Sequence, residues 1–206
     1  SITFSHLGNW FCSKCNEKRP KLNISNFDFY PIFGTYNKYN SLAAILTATD
    51  QKLSVMQIST VFKSFKPVFG RQEEFSVDGK KIQIFLSKNP TSFNQSLSTI
   101  AKLKAKNILI VLNDRIPDGL DVSWIWDADV SHLENISNII ISGDRVYDLA
   151  LRIKYAEIKN FHLFESLSDA IKKSLEKIKS GETLFILPTY SAMLESRKIL
   201  SGKKIL

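Results

Sequence analysis

The residues from Asp118 to Asp129 read Asp-Gly-Leu-Asp-Val-Ser-Trp-Ile-Trp-Asp-Ala-Asp, setting carboxylates beside two tryptophans. The apolar run 108–112 stands just before this stretch, and its length and β-branched content read as a buried strand. Residues 113–119 are turn chemistry, with Pro117 fixing one dihedral and Gly119 supplying another that most residues resist. Asp121 then stands at the start of a short helix. A carboxylate just past the C-terminal end of a strand is where open α/β sheets place their sites. The same residue also suits the plain role of a helix cap, accepting backbone N–H bonds. Trp124 and Trp126, two positions apart, cannot face one direction. One belongs to a core and the other to an exposed face, where tryptophan beside a charged group makes a binding anchor.

Three other groups carry chemistry. Cys12 and Cys15, the only cysteines, form a Cys-x-x-Cys knuckle with the spacing of two zinc ligands. A structural zinc site needs four ligands, and His6 would bring the count only to three. A redox role asks for a strand-to-helix turn in a βαβ unit, which is not what surrounds this pair. The knuckle reads as half of a zinc ribbon whose other half precedes Ser1. Asn37 and Asn40 fall one turn apart in a helix that follows Gly34, so both can address one ligand. An asparagine amide offers a donor and an acceptor together, as an adenine edge requires, although capping and turn roles fit equally well. His132 and His162 have no partner signature. There is no Gly-x-x-x-x-Gly-Lys-Ser/Thr loop and no Gly-x-Gly-x-x-Gly turn, so this chain alone does not cradle a triphosphate and is not a self-contained hydrolase.

Twenty-eight Lys and Arg face 20 Asp and Glu, a net charge of +8 on 206 residues. That surplus suits anionic partners such as nucleotide phosphates or an acidic membrane face. The lysines are scattered and not interleaved with aromatics, which argues against a nucleic-acid stripe. No apolar run reaches the length of a membrane span, and the N-terminus lacks a signal-peptide pattern, so a cytoplasmic location is expected.

The elements that must position these groups follow from periodicity. Residues 27–31 suggest an edge strand or hinge. A helix follows Gly34 with Leu42, Ile45 and Leu46 on one face, and 57–65 form a second amphipathic helix broken at Lys66-Pro67. Val77-Asp78-Gly79-Lys80 is a hairpin signal. From Lys81 onward five strands (82–86, 108–112, 139–141, 161–164, 183–187) alternate with five helices, including 92–104, 145–156, 168–179 and 192–200. Ser166 with Asp169 resembles a capping box, and Gly181 suits the C′ position of the helix before it. The alternation specifies a mostly parallel, twisted α/β sheet with helices on both faces.

Eight segments taken in order carry a resemblance. They are the Cys-x-x-Cys knuckle, Tyr36 to Ala44, Gly70-Arg71-Gln72-Glu73, Ser87 to Asn94, Asn113 to Asp129, Ser142-Gly143-Asp144-Arg145, Leu151 to Ala156, and Leu187 to Glu195. Together they resemble the C-terminal half of the Mur ligase family, most closely its MurT branch. The resemblance implies that residues 1–66 are a remnant of the central ATPase domain and 67–206 the Rossmann-like C-terminal domain. It implies a ligase that uses ATP and Mg2+ in its complete form. With ammonia from a GatD-type glutaminase, that ligase amidates the D-glutamate α-carboxylate of lipid II through an acyl-phosphate, at the inner face of the membrane. Asp121 would complete a Cys-His-Asp triad across the interface, Trp124 and Trp126 would face the partner, and Asn37, with Asn40 beside it, would read adenine. Arg71 would serve the nucleotide, and Lys88 and Asn89 the acyl-phosphate. Zn2+ would sit at Cys12 and Cys15. The family's phosphate loop, magnesium ligands and first cysteine pair correspond to positions before Ser1. The chain is therefore expected to be a fragment, a processed product or half of a split ligase, inactive by itself. The competing expectation is a non-catalytic α/β module that docks and activates a glutaminase.

Overall fold

Short apolar runs bounded by turn residues become strands, and the amphipathic runs between them become helices. The computed structural model describes residues 2–4 and 10–202. In chain order it has β1 (Ile2–Phe4), β2 (Trp10–Cys12), α1 (Thr35–Asp50), α2 (Val55–Ser64), β3 (Arg71–Val77), β4 (Lys80–Phe85) and α3 (Pro90–Lys102). It continues with β5 (Asn107–Val111), two 3₁₀ turns (Ser123–Asp127 and Ser131–Asn135), β6 (Asn138–Ser142), α4 (Val146–Tyr155), β7 (Phe161–Leu163), α5 (Leu167–Lys177), β8 (Thr183–Pro188) and α6 (Tyr190–Ser201). The main sheet has the order β3-β4-β8-β5-β6-β7. Its strands from β4 to β7 are parallel, and only β3 runs antiparallel, through a hairpin with β4. Asp78 and Gly79 both take positive φ at that hairpin's tip, the conformation of a tight turn matched to strand twist.

Burial of β5 at every residue explains the layering. Ile108 and Ile110 point to a core completed by α3, the 3₁₀ turns and α4, while Leu109 and Val111 point to a second core under α5 and α6. The alternation of the strand thus hands each face its own helices. This is the mostly parallel α/β sheet with two-sided cover that the sequence specifies.

The structure departs from the sequence reading in several places. Residues 27–31 form no strand. In α1 the buried stripe is Asn37, Ser41 and Ile45, while Leu46 is exposed. The short helix expected after β5 is a 3₁₀ turn that begins at Ser123, and a second 3₁₀ turn follows it. Its Asp and Trp residues favour turns and packing over helix propagation. Ser166 accepts from the Asp169 N–H, one half of a capping box. Gly181 is not the C′ residue of α5, which ends at Lys177; its positive φ serves the turn into β8, where its N–H donates to the Gly79 carbonyl.

A bulge in β3 joins the N-terminal segment to the sheet. Gln72 takes φ 62° at the register shift between Arg71 and Glu73. Its buried amide clamps one peptide position: Nε2 donates to the Phe33 carbonyl at 2.6 Å and Oε1 accepts from the Phe33 N–H at 2.8 Å. Beneath the turn before it, Arg197 Nη2 donates to Glu73 Oε1 at 2.9 Å, and Glu73 Oε2 accepts from the Gly70 N–H.

Gly143, just after β6, tests this packing. It has φ +109°, and a Cβ there would lie 2.4 Å from the Leu112 carbonyl oxygen. Gly143→Ala is expected to destabilise the chain by about 2–4 kcal/mol, through backbone strain plus the forced shift of a strand end. Chemical denaturation checks it, and a loss below about 0.5 kcal/mol would contradict the close approach.

Candidate functional site

Two neighbouring regions at the C-terminal edge of the parallel sheet hold most of the residues singled out from sequence. The first is a cleft of about 360 Å³ between α1, the start of β3 and the N-terminus of α3. Asn37, Arg71, Lys88 and Asn89 all line it, with Tyr36 and Gln95. Two cationic side chains and no carboxylate face this space, and the N–H groups at the start of α3 add partial positive charge. The cleft thus suits an anion. Asn89 is also the N-cap of α3: its Oδ1 accepts from Ser92 N–H at 2.8 Å, and Ser92 Oγ returns the bond to the Asn89 N–H. Asn37 spends its Nδ2 on the Phe33 carbonyl at 2.7 Å. Asn40 does not join it; the side chain is exposed and outside the cleft lining. One helical turn separates the two asparagines, but the 3.6-residue period turns Asn40 off the stripe that Asn37, Ser41 and Ile45 bury.

The second region is the loop from β5 to the first 3₁₀ turn. Asn113 is 3% exposed and joins three strand ends. Its N–H donates to Thr189 Oγ1 after β8, its Nδ2 donates to Ser191 Oγ, and its Oδ1 accepts from the Asp144 N–H after β6, each at 3.0 Å. Farther out, Arg115 forks onto Asp144 and reaches Glu195. Asp118 accepts from Ser191, at its N–H and at its hydroxyl. Arg145 bridges Asp114 and Asp148, and holds the Asp148 carboxyl below its ordinary range. The loop is thereby pinned at both ends before the chain reaches Asp121.

Asp121 is exposed, and its Oδ1 accepts from the Ser123 N–H at 2.7 Å. Bonds from the Ser123 backbone and hydroxyl hold its carboxyl below the usual aspartate range. It lines a shallow depression of about 250 Å³ with Leu120, Trp126, Arg145 and Asp148. Trp124 turns inward, edge-on to Phe93 and packed against the core. Trp126 turns outward, 48% exposed, with Tyr155 edge-on at 5.6 Å and the Arg152 guanidinium over its ring.

Cys12 and Cys15 lie in a tight turn closed by the Cys12 N–H to Glu17 carbonyl and Asn16 N–H to Cys12 carbonyl bonds. Hydrogen bonding from Cys15 lowers the Cys12 thiol's pKa. Among the described residues no further histidine, cysteine or carboxylate joins them; a tetrahedral zinc site needs four ligands. His6 lies outside the described residues.

Sequence reasoning assigned no role to Asn113, Arg115, Asp118, Ser191 or Glu195. The available signal was positional: each stands within a few residues of the C-terminal end of a parallel strand or in the first turns of the helix after it, where ligand-facing loops converge.

Residues 86–193 match the family described as "MurT ligase C-terminal". The chain is 31% identical to the "Lipid II isoglutaminyl synthase (glutamine-hydrolyzing) subunit MurT" of Streptococcus pneumoniae, over 98% of this chain and 50% of that protein. It is 34% identical to the subunit of the same name from Staphylococcus aureus, over 77% of this chain and 40% of that protein. Among solved structures, Mycobacterium tuberculosis folylpolyglutamate synthase complexed with ADP and AMPPCP superposes with a TM-score of 0.60 at 16% identity, over 86% of this chain and 42% of that chain. The chain therefore spans about half the length of the curated relatives it matches.

Two measurements check this geometry. Asn113→Ala leaves the partly buried Asp144 N–H without its acceptor and is expected to cost about 1–3 kcal/mol, read by denaturation. The Asp121 carboxyl, followed by carbon-13 NMR, is expected to titrate below the value of about 3.9 found for aspartate in unstructured peptides. Because the folded pKa is depressed, the group stays charged until the pH has fallen below that value. A midpoint at or above it would remove the Ser123 bond from the account.

Proposed function

Because the chain belongs to the MurT family of ligase subunits, we propose that it is part of a glutamine-dependent amidotransferase ligase acting on lipid II. In this reading a glutaminase of the GatD type releases ammonia from glutamine. The ligase joins that ammonia to the α-carboxylate of D-glutamate, with ATP as the phosphoryl donor that activates the carboxylate. Residues 1–66 are the end of the nucleotide-binding central domain and 67–206 the C-terminal domain.

The observation that carries the reading is Asp121: an ionised carboxylate, fixed by one oxygen to Ser123 and open to solvent, at the sheet edge beside an outward tryptophan. A cysteine nucleophile needs a base, and the base needs a third group that fixes its tautomer. Asp121 is that third group, supplied to the histidine of the partner. As the thiolate attacks the glutamine amide, the carbon–nitrogen bond breaks and the histidine hands its proton to the departing ammonia. The carboxylate keeps its own charge and stabilises the imidazolium.

The basic cleft supports the other half of the reaction. Arg71, a fork-shaped donor, suits phosphate or ribose oxygens, and Lys88 faces the activated carboxylate as a point charge. Asn37 and Asn89 line the same space, but each has a side-chain group already engaged, so their roles are to shape the cleft as well as to contact its ligand. No described helix is long and apolar enough to cross a membrane; the substrate is met at the membrane surface from the cytoplasmic side.

Asp121→Asn tests the proposal cleanly, because the amide oxygen can still accept the Ser123 N–H. In the reconstituted pair, glutamine-driven amidation is expected to fall on the order of 10³- to 10⁴-fold, as loss of the equivalent group does in a serine triad. Amidation from free ammonium, which bypasses the glutaminase, should be unchanged. Equal loss with both nitrogen sources would assign Asp121 to substrate handling or folding instead.

A further inference from the structure

The segment Leu151 to Ala156 carries part of the family resemblance, yet none of its residues lines the basic cleft or the depression beside Asp121. Arg152, half-buried on α4, turns its guanidinium to the far end of the 3₁₀ turn Ser123–Asp127. Its Nη2 donates to the Ala128 carbonyl at 2.7 Å and its Nε to the Ile125 carbonyl at 3.1 Å. The last carbonyls of a helical turn have no partner ahead of them, and a basic side chain can close that end. The same guanidinium lies 5.8 Å from the centre of the Trp126 ring. Two carbonyls three residues apart and a ring face together ask for a planar fork, which a lysine ammonium does not offer.

The peptide between Ala128 and Asp129 is gripped from both sides. Its carbonyl accepts from Arg152 on α4, and its N–H donates to Asn94 Oδ1 on α3 at 2.8 Å. Phe93 and Leu97 of α3 and Leu149 and Ile153 of α4 share one core, so both grips come from helices seated on the same face of the sheet. The ties made by Arg115, Asp118 and Arg145 involve loop residues that precede Asp121 in the chain. Those of Asn94 and Arg152 follow it. Between the two sets stands the 3₁₀ turn, anchored by buried Ile125 and opening at Ser123, whose N–H holds Asp121 Oδ1. An exposed carboxylate held by a local bond keeps its direction only as well as that N–H keeps its own.

We infer that Arg152 is a positioning residue for glutamine hydrolysis: with Asn94 it fixes the Ala128–Asp129 peptide, and through the 3₁₀ turn it sets the direction in which Ser123 aims Asp121. The inference rests on the triad reading above and adds two residues that act on the reaction through Asp121. Neither supplies a proton or a charge to the reacting atoms. Their contribution is aim, and aim is costly to lose: a displacement of about 1 Å at a catalytic group can slow a reaction on the order of 10²-fold.

The test uses the full-length ligase subunit with its glutaminase at saturation. Arg152→Lys keeps the positive charge and loses the fork; Asn94→Ala removes the opposite grip with no change of charge. Each is expected to lower the glutamine-driven kcat about 10-fold or more. The KM for glutamine and the ammonium-driven rate should stay within twofold of the parent. In the same proteins the Asp121 carboxyl, followed by carbon-13 NMR, is expected to titrate closer to the value of about 3.9 found in unstructured peptides, because the Ser123 bonds that depress it lose their geometry. An unmoved midpoint with unmoved rates would overturn the inference. Equal loss with both nitrogen sources would overturn it too, by assigning both residues to the fold alone. So would a lower glutamine-driven rate with an unmoved midpoint, since the effect would then bypass Asp121. A raised midpoint with a full glutamine-driven rate would leave the positioning in place and remove the triad reading.

Discussion

The three-way tie made by Asn113 is the constraint on which the rest of this edge depends. Parallel strands twist relative to one another, and their ends splay unless something crosses between them. One buried carboxamide joins the ends of β5, β6 and β8, using its backbone N–H, its amide hydrogens and its amide oxygen. Each such bond contributes only about 1 kcal/mol net, but removing a partner orphans a buried group at greater cost. The tie therefore acts chiefly on geometry. It fixes where the loop departs, Arg115 and Asp118 fix where the loop goes, and Asp121 inherits a position it could not hold by its local bonding to Ser123 alone.

Two electrostatically opposite regions share this edge. The cleft over β3, β4 and α3 presents Arg71 and Lys88 with no carboxylate in its lining, while the loop after β5 is acidic. In the strand order only β8 lies between β4 and β5, so the two strand ends are two strand spacings, roughly 10 Å, apart. On the proposed reading, ammonia is released near the acidic rim and consumed near the basic cleft, so one sheet edge serves both steps. The opposite signs suit their ligands: an anionic activated substrate on one side, a cationic imidazolium on the other.

The fold was legible because burial on both faces leaves a plain record in sequence. The runs at 108–112 and 183–187 are short, apolar and bounded by turn residues, and the helices between strands keep a 3.6-residue period. What the sequence hid was local and tertiary. The short helix after β5 takes the 3₁₀ form and is followed by a second 3₁₀ turn, and no periodicity announces that. Of the site, Asp121 was visible as a carboxylate just past a strand end, Arg71 and Lys88 stood out only through the resemblance to the Mur ligases, and the inward and outward split of Trp124 and Trp126 follows from their spacing. Asn40 lies off the cleft because three residues fall short of a full 3.6-residue turn. Asn113, Arg115 and Asp118 meet Thr189, Ser191 and Glu195 across 73 to 80 positions of sequence, and single-sequence patterns carry no such pairing.

The local bond between Asp121 and Ser123 and the proposed role of Asp121 in the triad are not rivals. A carboxylate has two oxygens, and the Ser123 N–H uses one. That bond comes from Ser123, and it does two things the triad requires: it orients the group, and it lowers its pKa so that the carboxylate keeps its charge when an imidazolium forms beside it. A carboxylate with a raised pKa would tend to take the proton itself. Left in water, however, such a pair is worth only about 1 kcal/mol, because solvent screens it. On the proposed reading, the geometry of Asp121 therefore has catalytic value only when a second surface closes over it and removes the water that screens the pair.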